Sequence, residues 1–99
     1  MVVYYHLYLI LCSDLSHKFI KLIVNLIEIK ERFGKTLKVI RKNKGMTLST
    51  LAVKCQLDDS QISKIEKGVW DVQLSTIFIL AKGLDVDAKE LLDFNKYKD

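Results

Sequence analysis

Residues 47–68 read TLSTLAVKCQLDDSQISKIEKG. Two short amphipathic segments meet at a corner within this stretch. Leu51 and Ala52 form the inward face of the first segment, Leu57 marks the corner, and Ile62 and Ile65 form the inward face of the second. Apolar residues three and four apart share one face of a helix, so each half has a buried side and a wet side. Thr47 is placed to cap the first helix, which runs from Leu48 to Lys54 or Cys55. Asp58 caps the second, with Gln61 three residues on completing an approximate capping box, and Gly68 ends it. Helices this short are marginal alone, so further helices must share their core.

The outward positions of the second helix, Asp59, Ser60, Gln61 and Lys64, all carry hydrogen-bonding side chains. Two helices joined by a tight corner, the second presenting a polar face, have the layout of a helix-turn-helix.

Composition narrows the field. Ninety-nine residues suit one domain, the 49% apolar content suits a packed core, and the lack of proline favours uninterrupted helices. The net charge of +4 is unevenly spread. Residues 30–67 hold ten Lys or Arg against four acids, whereas residues 84–99 hold three Lys against five acids. A basic centre suits a polyanionic partner, and the ordinary alternative is a solvated helix face. Cys12 and Cys55 match no metal or redox spacing, and His6 and His17 lack partners at ligand spacing. Cys55 reads as a small buried thiol at the end of a helix. No nucleophile triad, carboxylate pair or glycine-rich phosphate loop is present in the sequence, so neither enzyme activity nor a cofactor or metal is expected, and a reduced, cytoplasmic setting fits.

Outside the central stretch, the first 24 residues differ from the rest. The run VVYYHLYLILC at residues 2–12 is too short to span a membrane and lacks the features of a signal peptide. Ser13, Asp14 or Ser16 could cap a helix running on from Leu15 to about Ile29. In it Lys18, Lys21, Asn25, Glu28 and Arg32 form one narrow polar stripe amid Phe19, Ile20, Leu22, Ile23, Val24, Leu26, Ile27 and Ile29. Residues 1–24 are therefore expected to be either a dimer or partner helix or upstream sequence translated from a misassigned start. A separate helix is expected over residues 27–43, with Phe33, Leu37 and Ile40 inside and Gly45 as its stop. A fourth helix is expected from about Gln73 to Lys82, burying Leu74, Ile77, Phe78 and Ala81, with Gly83 at its exit. Asp87 and Glu90 open a short fifth helix with Leu91, Leu92 and Phe94 inside. The expected organisation is an N-terminal extension (1–24), an all-α five-helix domain (25–94) and a polar tail (95–99).

From Lys42 to Leu92 the chain resembles the Cro and lambda-repressor, or XRE, family of helix-turn-helix proteins. The likeness lies in RKNKGMTLSTLA, ISKIEKG and LSTIFILAKGLDVDAKELL. The resemblance implies a lambda-repressor-like DNA-binding domain that works as a homodimer on a palindromic operator. Three positions depart from the pattern. Leu48 stands where the family usually has Gln, Gln56 where it usually has the Gly of the turn, and Trp70-Asp71-Val72-Gln73 where it often has Pro. Gln56 is therefore expected to take a left-handed conformation at a cost of about 1 kcal/mol.

Asp59, Ser60 and Lys64 match the family positions that reach base edges. Lys64 can donate to guanine, Ser60 can pair with several bases, and Asp59 can accept from cytosine N4 or serve only the helix dipole. Gln61 could read a base or stay in its capping box. Lys44, Thr47, Ser49 and Lys67 are candidate phosphate contacts, with a solvated surface as the alternative for the lysines. Arg41 and Glu66 match a family pair that bridges two helices. Trp70 and Phe78 read as core or dimer contacts rather than stacking platforms. The expected protein is a sequence-specific transcriptional regulator, a repressor or autoregulator that binds double-stranded DNA as a homodimer without a membrane. The rival expectation is a protein-interaction module, such as an antitoxin-like binder of a toxin, that uses the helix-turn-helix as scaffold.

Overall fold

Helix α1 (Asp14–Asn43) is one uninterrupted rod of 30 residues. The computed structural model describes residues 14–96, with side chains from His17 onward. The run at residues 2–12 with His6 and Cys12, the capping candidates Ser13, Asp14 and Ser16 as side chains, and the last three residues of the tail lie outside that description. Four further helices follow: α2 (Leu48–Cys55), α3 (Asp59–Glu66), α4 (Leu74–Leu84) and α5 (Ala88–Leu92). The described residues are all-helical apart from turns.

The two expected N-terminal helices are thus a single helix crossing residue 24. Nothing between Leu22 and Phe33 breaks it, since there is no proline or glycine to stop propagation once a turn has formed. Along residues 17–29 its side chains face solvent, including Phe19, Leu22, Leu26 and Ile29, each at least half exposed. The buried part begins at Phe33 and continues through Thr36, Leu37, Ile40 and Arg41. Gly45 ends the helix in a left-handed conformation (φ +69°). Its N–H donates to the Lys42 carbonyl (2.9 Å) and the Met46 N–H to that of Arg41 (3.1 Å), a Schellman closure.

The same closure recurs without glycine after α2. Gln56 stands at φ +56°, and the Leu57 N–H reaches the Ala52 carbonyl at 3.0 Å. The strained residue expected at the corner is therefore present. It turns the chain sharply enough for α2 and α3 to pack around Leu51, Ala52, Ile62 and Ile65. Leu37, Leu51, Ile62, Leu80, Leu84 and Leu91 are the largest fully buried side chains. Each contributes on the order of 1.5–3 kcal/mol by leaving water.

Helix α4 departs from expectation in face and in end. Leu80, Ala81 and Leu84 are buried, whereas Leu74 (70% exposed) and Phe78 (59%) face solvent and Ile77 is half-buried. Apolar side chains surround this helix on nearly every side, so periodicity could not choose its inner face. Packing against α2 decides it. Gly83 lies within the helix, and a Cβ there would come 2.5 Å from Cys55 Sγ. The exit is instead made by Asp85, left-handed at φ +58°. In α5 only Leu91 is buried, Leu92 is half exposed, and Phe94 packs on the core from its rim. Asp87 stands at the N-cap of α5 without a side-chain capping bond.

Candidate nucleic-acid interface

Helix α3 is held from three sides. Ile62 and Ile65 anchor its inner face in the core. Gly34 of α1 lies against its last turn, where a Cβ would overlap the carbonyl oxygens of Ile65 and Glu66. Arg41, at the end of α1, clamps Glu66. Arg41 Nε and one terminal nitrogen donate to the two carboxylate oxygens at 2.7 and 3.1 Å, and the other donates to the Met46 carbonyl at 2.8 Å. Both side chains are more than nine-tenths buried. A bidentate guanidinium–carboxylate pair fixes angle as well as distance, so the tilt of α3 relative to α1 is set.

The opposite face of α3 carries Asp59, Ser60 and Lys64 in solvent, with Gln61 half-buried. Three of these four side chains are already engaged. The Ser49 hydroxyl donates to Asp59 Oδ2 at 2.7 Å, tying the first motif helix to the second and leaving the other carboxylate oxygen free to accept. Gln61 Oε1 accepts the Asp58 N–H at 2.9 Å, which forms that half of the capping box. The Lys64 ammonium sits 5.0 Å from the centroid of the Trp70 ring, a cation–π contact. Ser60 makes no side-chain hydrogen bond among the described residues.

The candidate phosphate contacts are less uniform. Thr47 caps α2, its Oγ1 accepting the Thr50 N–H at 3.1 Å and lying 2.9 Å from the Thr50 hydroxyl. Thr47 and Ser49 thus stand at a helix N-terminus, where amide N–H groups favour anions. Lys67 is exposed at the C-cap of α3. Lys44 lines a shallow depression with Asp85, Asp87 and Glu90, an acidic setting for a phosphate contact.

Sequence reading missed four of these relationships. Asp59 and Ser49 are ten residues apart across the corner, and Lys64 meets Trp70 only because the chain turns back at Gly68. The acidic rim beside Lys44 comes from the far end of the chain, and Gly34 gave no turn or cap signal in mid-helix. Cys55, buried as expected, donates to the Ile79 carbonyl at 3.5 Å, and desolvation pushes its thiol pKa up. Among the described residues no group of His, Cys, Asp and Glu is arranged to hold a metal, and no helix is long and apolar enough to cross a membrane.

A polar helix face held at a fixed angle on a five-helix domain defines a helix-turn-helix protein. A family model described as Helix-turn-helix matches residues 37–91. The chain belongs to that family, and it is a sequence-specific DNA-binding transcriptional regulator of the XRE type. It is 40% identical over 67 residues to the control protein C.BamHI of Bacillus amyloliquefaciens, a match covering 67% of this chain and 83% of that one. Among solved structures it is similar to the restriction-modification controller protein C.AhdI from Aeromonas hydrophila, with 38% identity and a TM-score of 0.61 over 62% of this chain and 92% of that one. It is also similar to the restriction-modification controller protein C.Esp1396I, with 30% identity and a TM-score of 0.64 over 69% and 90% of the two chains.

Proposed function

We propose that this chain is the controller of a restriction-modification system, binding as a homodimer to a palindromic operator with α3 in the major groove. Lys64, Ser60 and Asp59 are the base-reading side chains, with Gln61 at the edge of the set. Thr47, Ser49 and Lys67 meet phosphates from the N-terminus of α2 and the end of α3, and Lys44 is the weakest member because of its acidic neighbours. The observation that carries this reading is the exposed polar row of α3, locked to α1 by the Arg41–Glu66 clamp. Two further facts support it. A relative and a solved structure, each matched over most of its own length, bear the names of a control protein and a controller protein. The face of α4 leaves Leu74 and Phe78 uncovered, which suits contact between two copies.

The reading distinguishes a controller from an antitoxin or phage repressor by what the protein binds. Duplexes taken from upstream of its own gene, and from upstream of an adjacent restriction gene, are to be titrated against shuffled duplexes at fixed salt. A controller binds the native segments at least a hundredfold more tightly, within the ordinary range of specific over non-specific affinity (~10³–10⁷) or just below it. Equal affinity for native and shuffled segments contradicts the proposal.

A further inference from the structure

Trp70 is the only tryptophan of the chain, and the Arg41–Glu66 clamp does not involve it. Its position is nevertheless strictly set. Gly68 turns left-handed (φ +76°), and a Cβ added there would come 2.9 Å from the Glu31 Cα of α1. The next N–H, that of Val69, donates to the carbonyl of Lys64 at 3.1 Å. Trp70 therefore follows directly on a residue hydrogen-bonded to the backbone of Lys64. The indole lies along a groove of about 220 Å³ beside α3, together with Leu57, Gln61, Ile65, Val72 and Thr76. It is 40% exposed, and the Lys64 ammonium rests 5.0 Å from the ring centroid.

A lysine is a flexible point charge on a four-carbon stem, without the rigid fork by which arginine fixes its own direction. Left free on an exposed helix face, it donates to phosphate and to any acceptor within its sweep. A ring face within about 6 Å attracts the ammonium and narrows that sweep. We propose that Trp70 is a positioning residue for DNA specificity, holding the Lys64 ammonium in one direction relative to α3 so that the lysine discriminates at a single base position. This rests on the reading of Lys64 as a base contact. Trp70 acts through Lys64 and needs no contact with DNA of its own.

The test uses the full chain and a pool of duplexes with a randomised central segment, enriched by binding and sequenced. Lys64→Ala is expected to relax preference at one position. Trp70→Leu is expected to lower discrimination at that same position by about two- to fivefold, leaving affinity for random duplex unchanged. Trp70→Phe, which keeps a ring face, restores most of the discrimination. In a Lys64→Ala background Trp70→Leu has no further effect on it. If Lys64→Ala relaxes the position and Trp70→Leu does not, or lowers all sequences alike, the inference fails and the base contact stands. If Lys64→Ala changes nothing, both fail. Should Trp70→Leu not fold, the emission of the single indole decides. Lys64→Met is expected to alter the intensity or maximum of Trp70 fluorescence in the free protein, and identical spectra overturn the contact.

Discussion

Arg41 and Glu66 join the last turn of α1 to the last turn of α3 by two parallel hydrogen bonds of 2.7 and 3.1 Å, both side chains being out of solvent. The third donor of Arg41 holds the Met46 carbonyl, so one guanidinium fixes α3 and the turn into α2 together. Removing one partner leaves the other charge buried without compensation. Glu66→Ala is therefore expected to destabilise the domain by about 3–5 kcal/mol, read from a chemical or thermal melt. An unchanged melt would contradict the structural role of the pair.

Gly83 and Cys55 set the spacing of α4 on α2. Alanine ordinarily stabilises a helix interior over glycine by about 1 kcal/mol. Here the added methyl meets Cys55 Sγ at 2.5 Å, so Gly83→Ala is expected to destabilise by about 1–3 kcal/mol through overpacking. Cys55→Ala makes room, and the double variant is expected to recover part of the loss. Simple additivity of the two losses in urea denaturation would show that the two positions do not press on each other.

The outline of the domain was legible because Thr47, Asp58, Gly45 and Gly68 punctuate it and because the inner faces of α2 and α3 carry clean helical spacing. Two places were not legible, for physical reasons. Around α4 almost every side is apolar, so its packing on α2 and α5, and not its periodicity, picks Leu80 and Leu84 over Leu74 and Phe78. Along α1 a change of composition near residue 24 looked like a boundary, yet helix propagation needs a breaker to stop and finds none. The polar face of α3 was legible as residue types but not as contacts. The bonds of Asp59 to Ser49 and of Lys64 to Trp70 cross turns, where no periodicity carries information.

Lys64 and Lys67 are expected to separate by mechanism. Lys64→Ala lowers specific binding by about 1–3 kcal/mol and relaxes one base position, whereas Lys67→Ala weakens all sequences alike and reduces the salt slope by about one. Salt titrations of both variants on one specific and one random duplex check this. A Lys67→Ala variant with an unaltered slope would remove it from the phosphate contacts.

The solvent-facing half of α1 makes a further distinction possible. Among the described residues every buried side chain lies at or beyond Phe33, so a chain starting at Val24 keeps all of that core. It is expected to fold, dimerise and bind DNA as the full chain does, and to be the more soluble of the two, since Phe19, Leu22 and Ile23 no longer face water. Gel filtration and DNA binding of the two side by side test this. A shorter chain that is monomeric while the full chain is dimeric would make residues 1–23 a dimerisation element.

The central claim is that α3 reads DNA from a two-fold symmetric pair of domains. Selection of binding sites by the full chain from a randomised duplex pool tests it most directly. The account predicts a palindromic consensus with half-sites about one helical turn, roughly 10 bp, apart, and a specific affinity that falls steeply as salt rises. A pool that emerges without enrichment, or one enriched for a single asymmetric half-site, would contradict it.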